Sequence, residues 1–169
     1  IELLGQGWEG SVYLVQDKHS AQKHVLKVFH EPWPKAQVRA LQKYAGSVAD
    51  NACPGLFSID LLQDTDHVLG VAYSYRRLHT LNRRLLYSVD QIGQALLGGY
   101  CRMQAYLIAQ HNMALWDVSA DNFMVDMNGQ FWLTDYDYGF AQLDDDRHLN
   151  WGSIEYGFVM LILSISGIN

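Results

Sequence analysis

The sequence predicts an α+β protein in two parts, strand-rich over residues 1–75 and mainly helical over residues 76–169. Three observations predict it. Short segments rich in β-branched and aromatic residues, separated by Gly, Pro and Asp turns, fill the first part. Val89–Gln110 carries Ile92, Leu96, Tyr100, Met103 and Leu107 at helical spacing. Met127-Asn128-Gly129 joins two short apolar segments, and Asn-Gly is a strong hairpin signal.

In chain order, Ile1–Leu4 and Ser11–Gln16 are strands flanking a glycine-rich turn, and His24–Phe29 alternates polar and apolar positions as a third. Pro32 and Pro34 are expected to break the chain. Lys35–Tyr44 follows as a helix with Val38, Leu41 and Tyr44 on one face, ended by Gly46. Leu56–Gln63 and His67–Tyr75 are two further strands joined by the polar turn Asp64–Asp66, with a linker near Ser74–Leu78. Beyond the long helix, Asn122–Asp126 and Gln130–Asp135 form the Asn-Gly hairpin, and Glu155–Ser166 is a buried helix.

Composition narrows the function classes. The 169 residues suffice for one domain or two small lobes. About half are apolar and 18% are charged, as in an ordinary globular protein. A net charge of −6 supplies no overall field to recruit nucleic acid or an anionic membrane. Cys53 and Cys101 have no metal-ligand spacing and read as free thiols of a reducing compartment, so a cytoplasmic location is expected. No segment reads as a signal peptide, and the longest apolar run, Phe158 to Ile165, is too short to span a bilayer. The first residue is Ile and the last ones fall in an apolar run, so the chain reads as cut at both ends, with its helical part truncated.

Gly5-Gln6-Gly7-Trp8-Glu9-Gly10-Ser11-Val12 is a G-x-G-x-x-G-x-V string. A dinucleotide fold would need a helix directly after the glycines to hold a pyrophosphate. Instead Ser11-Val12-Tyr13-Leu14-Val15 follows, which is a strand, so the glycines cap a hairpin. Such a hairpin can lay backbone N–H groups over phosphates without side-chain obstruction. Seventeen residues after Gly10, Lys27 sits between apolar neighbours in Val25-Leu26-Lys27-Val28-Phe29. Its charge there calls for an anion.

A second string, Leu115-Trp116-Asp117-Val118-Ser119-Ala120-Asp121-Asn122-Phe123-Met124-Val125-Asp126, precedes Leu133-Thr134-Asp135. Asp117 and Asn122 keep D-x-x-x-x-N spacing, and Asp135 lies thirteen residues after Asn122. Together with the glycine string and Lys27, these motifs resemble the protein-kinase superfamily over roughly residues 1–141, and more loosely to 167. The resemblance implies a two-lobed fold, a β-rich N-lobe (1–75) and a mainly helical, partial C-lobe (76–169). It implies an ATP- and Mg²⁺-dependent phosphotransferase acting on a hydroxyl acceptor, a protein Ser/Thr or a small molecule. Asp117 would orient and deprotonate the acceptor, and Gly5, Gly7, Gly10, Val12, Lys27, Ser74 and Tyr75 would bind the nucleotide. Asn122 and Asp135 would hold the metal, with Asp137 a second acid, because Asp135-Tyr136-Asp137 is similar to the paired acids of choline-kinase-like and aminoglycoside-phosphotransferase-like enzymes.

Several positions depart from the family. Gln37 stands where a helix glutamate would pair with Lys27. Leu115-Trp116 replaces His-Arg, and Ser119 replaces a lysine. Only 22 residues separate Asp135 from Gly157, with no A-P-E string between them. These departures keep open a pseudokinase that binds nucleotide or a partner without transferring phosphate.

Overall fold

The structure, a computed structural model, describes residues 1–49, 52–80, 89–115, 118, 122–135, 140–142 and 159. It is α+β, as expected, and divides into two compact units, Ile1–Asp50 with Phe57–Arg76 and Asn51–Leu56 with Arg77–Asn169.

The first unit is built on a five-stranded antiparallel sheet in the order β1-β2-β3-β5-β4. Its strands are β1 (Glu2–Gln6), β2 (Gly10–Gln16), β3 (Lys23–Pro34), β4 (Asp60–Gln63) and β5 (His67–Ser74). The central strands approach closely because glycine faces β3 from both sides. A Cβ on Gly10 would lie 2.4 Å from the Val28 carbonyl oxygen, and one on Gly70 would lie 2.2 Å from that of Lys27. Both glycines are therefore packing requirements. One face carries Val25, Phe29 and Val71 into a core shared with Val68 and with Leu41 and Tyr44 of helix α1 (Arg39–Ala45). The Tyr44 hydroxyl donates to the Phe57 carbonyl, so this large buried ring leaves no orphaned polar group.

Three expectations are corrected here. The prolines do not break the chain after Phe29. β3 continues through a register shift, and Trp33 and Pro34 face Val68 and His67 of β5. A proline at the end of a strand forfeits little of the ladder, and stacking of Phe29 on Trp33 at 3.9 Å holds the extension. The segment Lys35–Tyr44 is not one helix. Lys35–Gln37 is an exposed 3-10 turn, and Val38, at φ −116° and ψ 33°, separates it from α1. The strand expected from Leu56 begins only at Asp60. The polar turn after β4 is held by the Asp64 carboxylate, which accepts from the Asp66 and His67 N–H groups at 2.8 and 2.7 Å. Those bonds hold its pKa below the usual carboxylate value.

In the second unit, helix α2 (Val89–His111) buries Leu96, Tyr100, Met103 and Leu107 of the stripe read from the sequence, while the side chain of Ile92 lies outside the described part. Strands β6 (Leu78–Thr80), β8 (Phe123–Asp126) and β9 (Phe131–Leu133) form an antiparallel sheet in the order β6-β8-β9. The β8–β9 hairpin turns at Met127-Asn128-Gly129, with Gly129 at φ 80°. Asp126 secures it, accepting from Asn128 N–H at 2.8 Å, Gln130 N–H at 3.0 Å and the Trp132 indole at 3.0 Å. Behind it lies Gly55, at φ 93°, whose carbonyl accepts from Leu133 N–H at 2.8 Å. Strands β7 (Met113–Leu115) and β10 (Phe140–Gln142) form a separate antiparallel ladder that the sequence had not suggested. The helix expected over Glu155–Ser166 lies outside the described residues apart from Val159, which is helical. No helix among the described residues is long and apolar enough to cross a membrane.

At Gly55 a Cβ would meet Met103 Cε at 2.2 Å and the Phe131 carbonyl oxygen at 2.7 Å, on a backbone that L residues avoid. Gly55→Ala is expected to lower unfolding stability by more than about 1 kcal/mol in urea titration. The two free thiols differ sharply. Cys101 is exposed, whereas Cys53 is buried and burial pushes its thiol pKa up. A thiol reagent is expected to label Cys101 first and Cys53 only as the protein unfolds, a difference that mass spectrometry of partially labelled protein reads directly.

Candidate functional site

In the first unit, Val12 lies beside Lys27, while Ser74 and Tyr75 lie farther along the same sheet, opposite His24 and Lys23. Val12, Lys27 and Val71 are cross-strand neighbours in β2, β3 and β5, so their side chains share the core face of the sheet. Lys27 is only 6% exposed, a rare environment for an ammonium. Its Nζ lies 3.1 Å from Glu9 Oε2 and 5.9 Å from the centre of the Phe29 ring. Gln37, in the 3-10 turn, is a neutral amide and brings no charge to an ammonium. Glu9 brings a carboxylate to it. It lies in the glycine hairpin, and the sequence reading passed over it.

The hairpin itself is preformed. Gly7 N–H donates to the Gly10 carbonyl at 2.9 Å, and His30 N–H donates to the Glu9 carbonyl at 2.8 Å. The His30 ring adds two more ties, Nδ1 to the Trp8 carbonyl at 3.1 Å and Nε2 to Ser11 Oγ at 3.2 Å. A carbonyl can only accept, so Nδ1 carries the proton and, in the neutral ring, Nε2 accepts from Ser11. Trp8, at the turn, is 97% exposed.

The three glycines differ in what they do. Gly10 is demanded by contact with Val28, as above. Gly5 and Gly7 have nothing within 4 Å of an added Cβ and no positive φ. Among the described residues nothing crowds a side chain at either position, so as glycines they leave their own backbone uncovered. Ser74 ends β5 opposite His24. Tyr75 donates its N–H to the Lys23 carbonyl at 3.2 Å, and its ring lies 5.8 Å from Lys23 Nζ.

In the second unit the structure brings Asn122 and Asp135 together across thirteen residues of chain. Thr134 sends both its N–H (2.7 Å) and its hydroxyl (2.8 Å) to the Asn122 carbonyl, and Asn122 Nδ2 donates to the Asp135 carbonyl at 3.4 Å. Asp135 adopts φ 58°, a left-handed conformation uncommon outside glycine, and strained backbone concentrates at functional sites. An amide oxygen and a carboxylate are both hard donors, a set that fits Mg²⁺. Among the described residues no group of three His, Cys, Asp or Glu side chains could enclose a metal alone. Asp117 and Asp137 lie outside the described residues.

The segments flanking those two acids are tied together. β7 ends at Leu115, just before Asp117, and β10 begins at Phe140, just after Asp137. Phe140 pairs with Leu115 and Gln142 with Met113. From α2, the buried Gln104 grips the same strand. Its Oε1 accepts from Leu115 N–H at 3.0 Å, while its Nε2 donates to the Leu115 carbonyl and lies 2.6 Å from the Tyr100 hydroxyl. A side-chain amide thus takes the place of a neighbouring strand at the point where the 116–122 segment departs.

No model of a known protein family matches this chain, and no curated protein sequence matches it.

Gln104→Leu keeps the volume of the side chain but removes the acceptor for Leu115 N–H. It is expected to lower stability by about 1–3 kcal/mol, the usual cost of an orphaned buried donor. Urea denaturation measures the loss, and Gln104→Glu tests whether an acceptor oxygen alone restores part of it.

Proposed function

We propose that this chain is the core of a two-lobed, protein-kinase-like phosphotransferase that binds ATP with Mg²⁺ and transfers the γ-phosphate to a hydroxyl. A protein Ser or Thr is the first choice of acceptor and a small molecule the second. The observation that carries this reading is Lys27, an ammonium buried on the apolar face of a sheet beside a glycine hairpin. Such a charge costs stability unless anions meet it. Gly5 and Gly7, which the chain's own packing does not need, leave the hairpin backbone open to phosphate oxygens.

The chemistry follows from these groups. Phosphoryl transfer needs positioning and charge neutralisation more than covalent help. Lys27 neutralises phosphate charge, and Val12 lines the same face. Ser74 and Tyr75 supply contacts beyond the end of β5. Asn122 and Asp135 would hold Mg²⁺, which would supply positive charge against the phosphates. Asp135 ranks above Asp137 by its spacing from Asn122, and the hydrogen bond from Asn122 to the Asp135 carbonyl supports that choice. Asp117 orients the acceptor hydroxyl and takes its proton.

A second reading, nucleotide binding without transfer, draws on the departures from the family pattern. Gln37, a neutral amide, can form no ion pair with Lys27. Trp116 and Ser119, in place of the cations of the family pattern, point the same way.

Turnover of MgATP is expected in the wild-type chain and is lost in Asp117→Ala, with binding retained; binding without any wild-type turnover selects the second reading. Lys27→Met exchanges the buried charge for an apolar chain of similar length. It should leave the thermal midpoint within a few degrees, since the charge left behind is Glu9, whose 36% exposed side chain water can reach, and should abolish ATP binding. Calorimetric titration with and without Mg²⁺ compares Asp135→Asn with Asp137→Asn. The larger loss of the Mg²⁺-dependent part is expected at Asp135, and the reverse order would move the metal to Asp137.

A further inference from the structure

We propose that Glu9 is the positioning residue of Lys27, holding the ammonium charged and aimed from the glycine hairpin in the role that no helix acid fills. The pair itself is a matter of geometry; its effect on nucleotide rests on the phosphotransferase reading above.

The local structure makes Glu9 well suited to this task. It occupies the turn closed by Gly7 N–H to Gly10 carbonyl at 2.9 Å. Its own carbonyl accepts from His30 N–H at 2.8 Å, and Trp8 beside it is tied to the His30 ring. His30 belongs to β3, three residues beyond Lys27. The strand that carries the ammonium therefore also anchors the backbone that carries the carboxylate. Little conformational freedom remains to be lost when the pair forms.

Exposure is unequal in a telling way. The Lys27 side chain is 7% exposed and that of Glu9 is 36% exposed. Water reaches the pair through the carboxylate, so Glu9 can be solvated alone whereas Lys27 depends on a partner. An ammonium has three donors and can serve a carboxylate and a phosphate together. A carboxylate on the hairpin ties the position of the ammonium to the backbone that would lie over a phosphate, so the same turn aims the lysine and presents the N–H groups.

The test uses the whole chain in wild-type, Glu9→Gln and Glu9→Asp forms. Glu9→Gln is isosteric at a half-exposed site, so the fold is retained. Proton-detected ¹⁵N spectroscopy of lysine side chains, with Lys27 assigned by its absence in Lys27→Met, reports the ammonium directly and without nucleotide. Exchange of the Lys27 ammonium protons with water is expected to be about tenfold faster in Glu9→Gln, with Glu9→Asp in between. MgATP titration of the same samples is expected to weaken by roughly 10- to 100-fold in Glu9→Gln, as for supporting residues around other charged sites, and to recover in part in Glu9→Asp. Unchanged exchange in Glu9→Gln would show that the pair does not form in solution and sinks the proposal. Tighter MgATP binding in Glu9→Gln would make Glu9 a competitor of the phosphate and overturns it as well. If the exchange difference holds but wild-type protein binds no MgATP, the nucleotide role of Glu9 fails with the phosphotransferase reading, while the ion pair stands.

Discussion

An ammonium on the apolar face of a β-sheet has to be met by opposite charge or dipoles, and the first unit is organised around meeting that need at Lys27. β3 places Lys27 between Val12 and Val71, where its stem packs with the core residues Val25 and Phe29. Gly10 and Gly70 allow the neighbouring strands to close on β3 without a Cβ in the way. The carboxylate then comes from Glu9, on a hairpin that His30 pins to the same strand. Were the hairpin free to move, the contact between Glu9 and the buried charge would be lost with each excursion.

The second unit solves a related problem with neutral groups. Chain that leaves a strand to form a loop gives up ladder partners, and buried N–H or C=O groups without partners are costly. Gln104 satisfies both polar groups of Leu115 from the side of α2, and Tyr100 shares the same network. Thr134 satisfies the Asn122 carbonyl twice at the far end of the segment. The backbone around the candidate metal residues is held by fully bonded side chains, a rigid support of the kind precise positioning requires.

Much of the fold was legible in the sequence where one signal dominated. The stripe of Leu96, Tyr100, Met103 and Leu107 needed no context, because a 3.6-residue period over so many turns has one solution. The Asn128-Gly129 hairpin was legible for the same reason: Gly129 supplies the positive φ the turn demands. Where signals competed, local rules misled. Pro32 and Pro34 argued against a strand, yet pairing with β5 and the Phe29–Trp33 stack carried β3 through them. Val38 fitted the apolar stripe of a helix while its backbone lay outside helical geometry. The β7–β10 ladder left no trace in either segment, since three-residue strands have too short a period to read.

The candidate site divides along the same line. Gly5, Gly7, Gly10, Lys27, Asn122 and Asp135 were singled out because their motifs resemble those of the protein-kinase superfamily, and such motifs survive in one dimension. The sequence also told that Lys27 would need an anion, from its apolar neighbours. It could not tell which one. A salt bridge between residues 9 and 27 depends on the register of β2 against β3 and on the curl of the hairpin turn, and neither is written in local composition. The helix side offered Gln37; the tertiary structure supplied Glu9, because pairing of β2 with β3 folds the hairpin back over the strand that bears the charge.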